Sequence, residues 1–452
     1  MIQKNSRSES YKNILSYALP EIVTATILMS AVVDARFIAK LHKVTFYATV
    51  GVTSTLMQLI AKAAEGVGVG TVILCGRYNG DQDHLHVGRV MRHAVLLSIG
   101  IGACISAILY AGAYTIYHSS GMSAEIVAAG TPYLKLRAIG IALMFVVSSI
   151  VGCMRGIKNT TLPMRLFVVG TSAFIISDYV LIFGHFGIPA LHLRGSALAY
   201  IIQYAAMLIY ACISLRHSPY VKKYQLFTWE RIDYRLMYTL CTLSIPVMID
   251  KAVLASAKIW LVLMLAPLGI NALSSFSAIR DLEQIAFIPA IALAQVVTFL
   301  VSNARVHASW SSILVTIKRV FFLAALAVSS LLLIFCLWSD HFLSYFDPQN
   351  IFRYLAKPAL PILSIFVLCD VVQIILAGAM RGASYVNLVM WTRIIILGTF
   401  VIPLSYAIHC WNSDAILLKF ILIYGSFYIG NGIMSTFYWF KLTRNHAKNG
   451  TV

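Results

Sequence analysis

Charged residues are scarce in this sequence, and their scarcity excludes a soluble globular protein. Only 12% of the 452 residues are Asp, Glu, Lys or Arg, whereas a soluble domain has about 25%. Hydrophobic residues make up 60%, and the mean hydropathy is +0.82. An apolar core of ordinary size could not accommodate so many apolar side chains. The composition therefore predicts an all-α integral membrane protein that crosses the bilayer several times.

Acidic residues are rarer than basic residues, with 17 Asp and Glu against 35 Lys and Arg. In a soluble protein, a net charge of +18 would suggest a nucleic-acid partner. Here the excess follows the predicted topology, because about 20 basic residues fall on one side of the membrane and about 7 on the other. The charge thus indicates orientation, and we expect no nucleic-acid partner.

Three kinds of chemical motif are missing. The eight cysteines stand singly without a Cys-x-x-Cys pair, so neither a zinc site nor a disulfide framework is predicted. The phosphate-binding pattern Gly-x4-Gly-Lys-Ser/Thr does not occur, which argues against ATP as the direct energy source. None of the 12 histidines lies at the centre of an apolar run beside an acid, which disfavours an intramembrane enzyme. We therefore expect no enzymatic activity and no cofactor.

Long apolar runs, by contrast, are abundant, and a membrane-spanning helix needs about 20 such residues. Twelve spans are predicted, at residues 14–38, 45–74, 91–117, 126–153, 162–185, 195–215, 238–264, 270–301, 315–338, 358–379, 388–409 and 415–440. An even number places both termini on one side, and the basic ends "QKNSRSESYK" and "KLTRNHAK" predict that this side is the cytoplasm. We expect a multi-pass protein of the bacterial inner (plasma) membrane, with no cleavable signal.

The chain is predicted to consist of two halves. The longest basic connection, "RHSPYVKKYQLFTWERIDYR", lies near its middle. It predicts a six-helix lobe at residues 1–220, a cytoplasmic linker at 221–237 and a second six-helix lobe at 238–452.

An internal repeat supports this division. "MRGIKNTTLPM" from Met154 recurs as "MRGASYVNLVM" from Met380, and Pro20 in "ALPEIV" matches Pro246 in "SIPVMI". Both matches have an offset of 226 residues, half of the 452. Because each half has six helices and starts on the same side, the repeats are predicted to be parallel. Two such lobes around a central cleft are typical of transporters.

Four sequence features identify a family that the chain resembles. They are "VVDARFIAKL" in helix 1, "MRGIKNTTLPM", "SDYVLIFG" followed by "LRGSALAY", and "CDVVQIILAGAMRG" in helix 10. In order and spacing they resemble the motifs of the multidrug and toxic compound extrusion (MATE) family, over nearly the whole chain. Two positions depart from the family pattern: Phe174 stands where relatives often have a polar residue, and Tyr200 replaces a small hydroxyl residue.

The resemblance implies a secondary active antiporter that works by alternating access. Such a protein would export organic, often cationic or amphipathic, compounds in exchange for Na+, H+ or another monovalent cation. A flippase for a lipid-linked oligosaccharide or peptide precursor, from the same superfamily, is the alternative. The abundant aromatic side chains favour lipophilic cations as substrates. We expect a monomer whose partners are the substrate, the coupling ion and the lipid bilayer.

Acidic residues within the predicted spans are the candidate coupling sites, because a charge at bilayer depth costs about 2.5–3.5 kcal/mol on insertion scales. Asp34, Asp178 and Asp370 have no base at a suitable spacing on the same helix. The resemblance implies that the acid in helix 1 couples to a proton or cation. Asp250 is a further candidate, although an ion pair with its neighbour Lys251 explains it equally well.

Two other acids have structural explanations. Lys62 and Glu65 have the i, i+3 spacing of a helical ion pair. Glu21 is predicted near the cytoplasmic end of helix 1, where exposure to water would account for its charge.

The stretch "SAIRDLEQIAF" concentrates three charges in one apolar helix. The i, i+3 spacing predicts that Arg280 pairs with Glu283, whereas Asp281 is rotated about 100° from Arg280. We therefore predict that Asp281 faces the cleft as a cation or proton ligand. The alternative is an interhelical charge network with Lys251 or Lys258 that closes the two lobes.

A bound metal cation such as Na+ would need oxygen ligands. Asp34 and Asp281 are the predicted metal ligands, and Ser277 and backbone carbonyls near Pro289 could contribute further oxygens. The sequence leaves the choice between Na+ and H+ open.

Overall fold

The computed structural model is built almost entirely from helices. It describes residues 8–28, 34, 36–38, 40–41, 44–226, 228, 231–347, 349–411 and 415–449. Within these residues, eleven helices are long and apolar enough to cross a membrane. The prediction of an all-α integral membrane protein is confirmed. The predicted first span, residues 14–38, and the basic N-terminal end lie partly outside the described residues.

The described helices follow one another along the chain. In order they are α1 (Tyr11–Ile27), α2 (Val44–Gly80), α3 (His84–Ser119), α4 (Ala124–Gly156), α5 (Thr161–Phe183), α6 (Leu193–Arg216), α7 (Tyr220–Tyr224), α8 (Tyr234–Leu265), α9 (Ile270–Ala304), α10 (Trp310–Leu337), α11 (Ser339–Phe346), α12 (Arg353–Gly382), α13 (Val386–Ile396), α14 (Ile402–Cys410) and α15 (Ile416–Asn449). A π-helical turn at Leu397–Val401 joins α13 to α14.

Two compact units make up the chain. The N-terminal unit comprises Leu19–Met248, and the C-terminal unit comprises Met1–Ala18 together with Ile249–Val452. Both boundaries fall inside a helix, α1 in one case and α8 in the other. The division into lobes at 1–220 and 238–452 stays a prediction.

Each unit contains one candidate membrane-spanning helix that is more buried than the other described ones. Within an apolar window of 18 residues, 72% of α2 and 78% of α9 is buried, against 22% for α3 and for α6. The sequence of α2 alternates Gly with Val in "GVGVG", and small residues let neighbouring helices approach closely. Since α9 begins 226 residues after α2, the two central helices are repeat counterparts.

A close contact between two helices also recurs with the offset of 226 residues. In the N-terminal unit, Gly152 of α4 packs directly on the backbone carbonyl of Gly68 in α2. In the C-terminal unit, Gly378 of α12 packs in the same way on the carbonyl of Ala294 in α9. A Cβ atom at either glycine would collide with that carbonyl oxygen. The close approach therefore requires glycine at both positions.

The repeated Met-Arg-Gly motif ends its helix in the same way in both units. Lys158 and Ser384, which occupy equivalent positions after the motif, have φ angles of +63° and +64°. The next amide donates to the carbonyl of Met154 or Met380 at 2.9 Å in both units. This left-handed residue and its hydrogen bond satisfy carbonyls that a helix end leaves unpaired. The internal repeat predicted from the two motifs is thus confirmed.

Asp347 fixes the start of α12. Its side chain is buried and accepts hydrogen bonds from the backbone N–H groups of Ile351, Phe352 and Arg353, each at 2.8 Å. Burial raises the pKa of this carboxyl, but the three donors and the positive charge of Arg353 outweigh it and leave the pKa below its usual value. Asp347 is therefore ionised in the folded protein at neutral pH.

We expect Gly152→Ala to destabilise the purified protein. The new methyl group would meet the carbonyl of Gly68, and overpacking of this kind costs about 1–3 kcal/mol. The measurement is the thermal unfolding midpoint in detergent. Gly100→Ala is the matched control, because a Cβ at Gly100 meets nothing within 4 Å. An equal midpoint for the two variants would contradict the close approach.

Asp347→Asn should lower the unfolding midpoint at neutral pH and have less effect in acid. A carboxyl whose pKa is lowered by folding stabilises the protein above the unfolded pKa of about 3.9, and this stabilisation is lost as the pH falls through the folded pKa. Unfolding midpoints measured from pH 7 downwards should therefore converge for wild type and variant. Asp340→Asn is the control, since Asp340 is exposed and contacts Lys357 at 2.7 Å. A midpoint difference that stays constant with pH would refute the assignment.

Candidate functional site

Asp34, the coupling residue predicted in helix 1, is buried, with 3% of its surface exposed. Two residues of α6, one helical turn apart, supply hydroxyl groups to its carboxylate. Ser196 donates to Oδ1 at 2.8 Å, and Tyr200 donates to Oδ2 at 3.4 Å. The two donors satisfy both oxygens without neutralising the charge. The charge therefore requires a cation.

A cation that interacts with this carboxylate comes from α4. Arg137 interacts electrostatically with Asp34, and its guanidinium carbon lies 3.5 Å from the ring centroid of Tyr200. Its Nη1 donates to the hydroxyl of Tyr133 at 3.2 Å. Tyr200 therefore contacts both charges, the carboxylate through its hydroxyl and the guanidinium through its ring. The sequence analysis did not pair Arg137 with Asp34, because 103 positions separate them in the chain.

Asp178 belongs to the same cluster. It is fully buried on α5 and interacts electrostatically with Asp34 and Arg137. Neither of its carboxylate oxygens has a hydrogen-bond partner among the described residues. One turn earlier, Phe174 places its ring 4.5 Å from that of Tyr200 and offers no polar atom. The fold thus brings together two of the predicted coupling residues, Asp34 and Asp178.

In the C-terminal unit, Glu283 is buried against two tyrosines of α15. Tyr424 and Tyr428, one turn apart, both donate to Oε2 of Glu283, the second at 2.6 Å. Arg280 instead contacts its neighbour Asp281, with 3.2 Å from Nη2 to Oδ1. The predicted pairing of Arg280 with Glu283 is therefore wrong. The i, i+3 spacing permits that contact, but tyrosine hydroxyls of another helix donate hydrogen bonds to the Glu283 carboxylate instead.

Asp281 differs from the other candidates because 45% of its side chain is exposed. It lines a cavity of about 330 Å³ in the C-terminal unit, together with Ser277 and Phe352. The structure thus places the carboxylate and the hydroxyl that were predicted as cation ligands at one cavity. Its role as a metal ligand stays a prediction.

Asp370 and Asp250 lie in a second group of charges in the C-terminal unit. Asn431 donates to Oδ1 of Asp370 at 3.0 Å. Asp250 accepts from Nη2 of Arg381 at 2.6 Å and from Nε of Arg393. Arg393 also interacts electrostatically with Asp370, which connects the two carboxylates. The two arginines therefore account for the buried charge of Asp250 without Lys251, which was expected as its local partner.

The N-terminal unit has a counterpart of the Asp250 pair. Arg155, the repeat equivalent of Arg381, binds Glu21 with two hydrogen bonds of 2.8 and 2.6 Å. Glu21 is 2% exposed, so the expectation that water surrounds it was wrong. The predicted pair of Lys62 with Glu65 is confirmed at 2.6 Å.

Metal binding by side chains alone finds little support in the described part of the chain. Within it, no three His, Cys, Asp or Glu side chains come together as a metal-binding group. A cation at Asp34 or Asp281 would therefore need hydroxyl or carbonyl oxygens in addition. The two residues lie in different units.

The sequence of this chain is similar to a known protein family and to several proteins of that family. The MatE family model matches residues 22–180 and 246–407. The "Probable multidrug resistance protein NorM" of Shewanella oneidensis is 23% identical over 375 residues, which are 82% of this chain and 81% of that protein. The "Probable multidrug resistance protein YoeA" of Bacillus subtilis is 21% identical over 398 residues, 87% of this chain and 85% of that protein.

Solved structures show the same fold. A structure described as "MATE in the bent conformation" superimposes with a TM-score of 0.86 at 16% identity, over 97% of this chain and 96% of that one. An outward-facing "multidrug resistance MATE family transporter of the MOP superfamily" gives 0.86 at 16% identity, over 98% and 97%. Their twelve-helix fold confirms the predicted number of spans. The chain therefore belongs to the MatE family of multi-pass membrane transporters, the MATE proteins whose motifs its sequence resembles.

Proposed function

We propose that this transporter is a secondary active antiporter that exports organic, often cationic or amphipathic, compounds in exchange for Na+ or H+. The observation that carries the proposal is the Asp34 cluster. Two buried carboxylates, Asp34 and Asp178, both interact with the guanidinium of Arg137 inside the membrane-spanning helices. Such a group is stable only when a further positive charge binds. The names of the NorM and YoeA relatives support export of drug-like compounds.

The coupling follows from the cost of an unpaired charge in the membrane. When the coupling ion leaves, the cluster keeps a negative charge that the protein must expose, rearrange or neutralise. A cationic substrate supplies the same compensation, so ion and substrate compete for it. Exchange of one for the other, in alternation between the two faces of the membrane, gives antiport.

The remaining candidate residues fit into this scheme with separate roles. Asp281, at the cavity of the C-terminal unit, is proposed as a second cation site, and Asp370 and Asp250 as further coupling residues within their charge network. Arg280, Glu283 and Lys251 are proposed as a structural charge network around them. We further propose a monomer in the bacterial inner membrane with both termini in the cytoplasm, in accordance with the positive-inside distribution.

Expression of the protein should lower the accumulation of a lipophilic cationic dye such as ethidium in cells that lack other exporters. Aromatic side chains attract such cations, and the acidic clusters compensate their charge. The measurement is dye fluorescence, with Asp34→Asn at equal membrane abundance as the inactive control. Unchanged accumulation, combined with tight binding of a lipid-linked sugar, would favour the flippase instead.

Asp34→Asn and Asp281→Asn should each reduce gradient-driven export by more than about tenfold, an effect of about 1.4 kcal/mol. Asparagine keeps the shape of the side chain but carries neither the charge nor the proton. The measurement is export from proteoliposomes with Na+ and H+ gradients imposed in turn. Substrate binding should decline less than transport, because aromatic contacts remain.

Asp340→Asn provides the matched control for these variants. It is the same chemical change at a side chain that is 60% exposed and paired with Lys357, and we expect export at the wild-type rate. If Asp34→Asn and Asp281→Asn also transport at that rate, the two carboxylates are structural and the site assignment is wrong.

A further inference from the structure

A cavity of about 680 Å³ lies in the N-terminal unit, between the first three turns of α3 and the start of α8. Three arginines contribute to its lining, Arg89 from α3 and Arg231 and Arg235 from the residues around the start of α8. The volume of this arginine cavity falls within the range of about 300–1,000 Å³ that is typical of small-molecule sites. It is therefore large enough to hold a small ligand or a lipid headgroup.

The lining of the arginine cavity is positively charged. Its acid among the described residues is Asp233, whose Oδ1 accepts hydrogen bonds from the backbone N–H groups of Arg235 and Leu236 at 2.9 and 3.2 Å. That carboxylate caps the start of α8 and neutralises at most one of the three guanidinium groups. The whole stretch from Arg216 to Arg235 contains five Lys and Arg against two acids. This excess of positive charge favours an anion as the ligand.

The buried side chain of His93 connects the two walls of the arginine cavity. Its Nδ1 lies 2.8 Å from the carbonyl oxygen of Arg89, and its Nε2 accepts from the backbone N–H of Asp233 at 2.8 Å. Because the carbonyl needs a donor and the amide needs an acceptor, the proton lies on Nδ1 and the ring is neutral. His93 thus joins α3 to the residue before α8 and adds no charge of its own.

Further contacts hold the preceding part of the linker against α3. A Cβ atom at Gly88 would collide with the carbonyl oxygen of Tyr224, so the two backbones are in close contact. Nη1 of Arg92 donates to the hydroxyl of Thr228 at 2.9 Å and to the carbonyl of Gln225. The arginine cavity therefore lies between segments that the fold holds together.

Apolar side chains beside the arginines indicate what kind of anion fits. Ile232 and Tyr234 line the same cavity, with exposed fractions of 51% and 79%, and Tyr238, one turn further along α8, is 72% exposed. Tyrosine is enriched where lipid headgroups meet acyl chains, and α8 is long and apolar enough to cross a membrane. A ligand that combines a phosphate with an apolar chain satisfies both sets of side chains, whereas a free phosphate would leave the apolar ones exposed.

We propose that the arginine cavity binds the phosphate group of an anionic phospholipid, with Arg231 and Arg235 as its main ligands. The planar guanidinium group can donate two parallel hydrogen bonds to phosphate oxygens. Basic pockets between membrane-spanning helices bind anionic headgroups in this way. The bound lipid bridges α3 and the start of α8 and so stabilises the N-terminal unit. This inference does not depend on the proposed antiport.

Thermal unfolding in a neutral detergent tests the site, because a ligand that binds only the folded protein raises the unfolding midpoint. The probe is dioctanoyl phosphatidylglycerol. Dioctanoyl phosphatidylcholine, which has the same chains but no net charge, is the comparison lipid. We expect phosphatidylglycerol to raise the midpoint of wild type at concentrations at which phosphatidylcholine has no effect. Equal shifts with the two lipids would overturn the proposal, and this result does not depend on any variant.

The double variant Arg231→Gln/Arg235→Gln should bind phosphatidylglycerol at least about tenfold more weakly than wild type. Lys222→Gln/Lys223→Gln is the matched control, because it removes two positive charges from the same linker at residues outside the cavity lining. We expect this control to bind the lipid with wild-type affinity. The measurement is lipid titration by native mass spectrometry. Unchanged affinity in the arginine variant, or an equal loss in both variants, would overturn the site assignment.

Inorganic phosphate distinguishes a lipid site from a site for a free anion. We expect it to bind wild type at least about tenfold more weakly than phosphatidylglycerol, because it makes no contact with Ile232 and Tyr234. The measurement is the midpoint shift produced by each ligand over a range of concentrations. Phosphate that binds as tightly as the lipid, and whose binding is lost in Arg231→Gln/Arg235→Gln, would assign the cavity to a free phosphate and overturn the lipid proposal.

Discussion

The rest of this structure depends on the neutralisation of charges that lie inside membrane-spanning helices. In a medium of low dielectric, an ionised side chain is unfavourable unless an opposite charge or several hydrogen-bond donors surround it. Asp250 meets this requirement with Arg381 and Arg393, and Glu21 meets it with Arg155. These pairs connect helices that are far apart in the chain, so neutralisation also determines which helices must lie together.

Both repeats contain a buried pair of an arginine and an acid, although the acid stands at a different position in each repeat. Arg155 and Arg381 occupy the same place in the Met-Arg-Gly motif, and each binds an acid near the proline that is repeated in both halves. Glu21 follows Pro20 by one residue, whereas Asp250 follows Pro246 by four. The difference is close to one helical turn, which leaves both acids on a similar face of the helix. A long arginine side chain can reach either position, so the repeat tolerates the shift.

The two units differ in how their other carboxylates are surrounded. In the N-terminal unit, Asp34 and Asp178 share the guanidinium of Arg137. In the C-terminal unit, hydroxyls of Tyr424 and Tyr428 donate to one oxygen of Glu283. The shared backbone framework, with its glycine contacts and identical helix ends, therefore carries two unlike sets of side chains. The side chains around the buried carboxylates can therefore differ between the units without any change in the fold.

The sequence by itself determined the membrane-spanning fold, the internal repeat and the local pair of Lys62 with Glu65, because these depend on composition, periodicity and spacing along one helix. Tertiary structure decided the partners of the other charges. The spacing of Arg280 and Glu283 permits a pair, yet Glu283 binds tyrosines of a different helix. Likewise Arg137 of α4 interacts with Asp34 of the first span, because side chains far apart in sequence become neighbours only through helix packing.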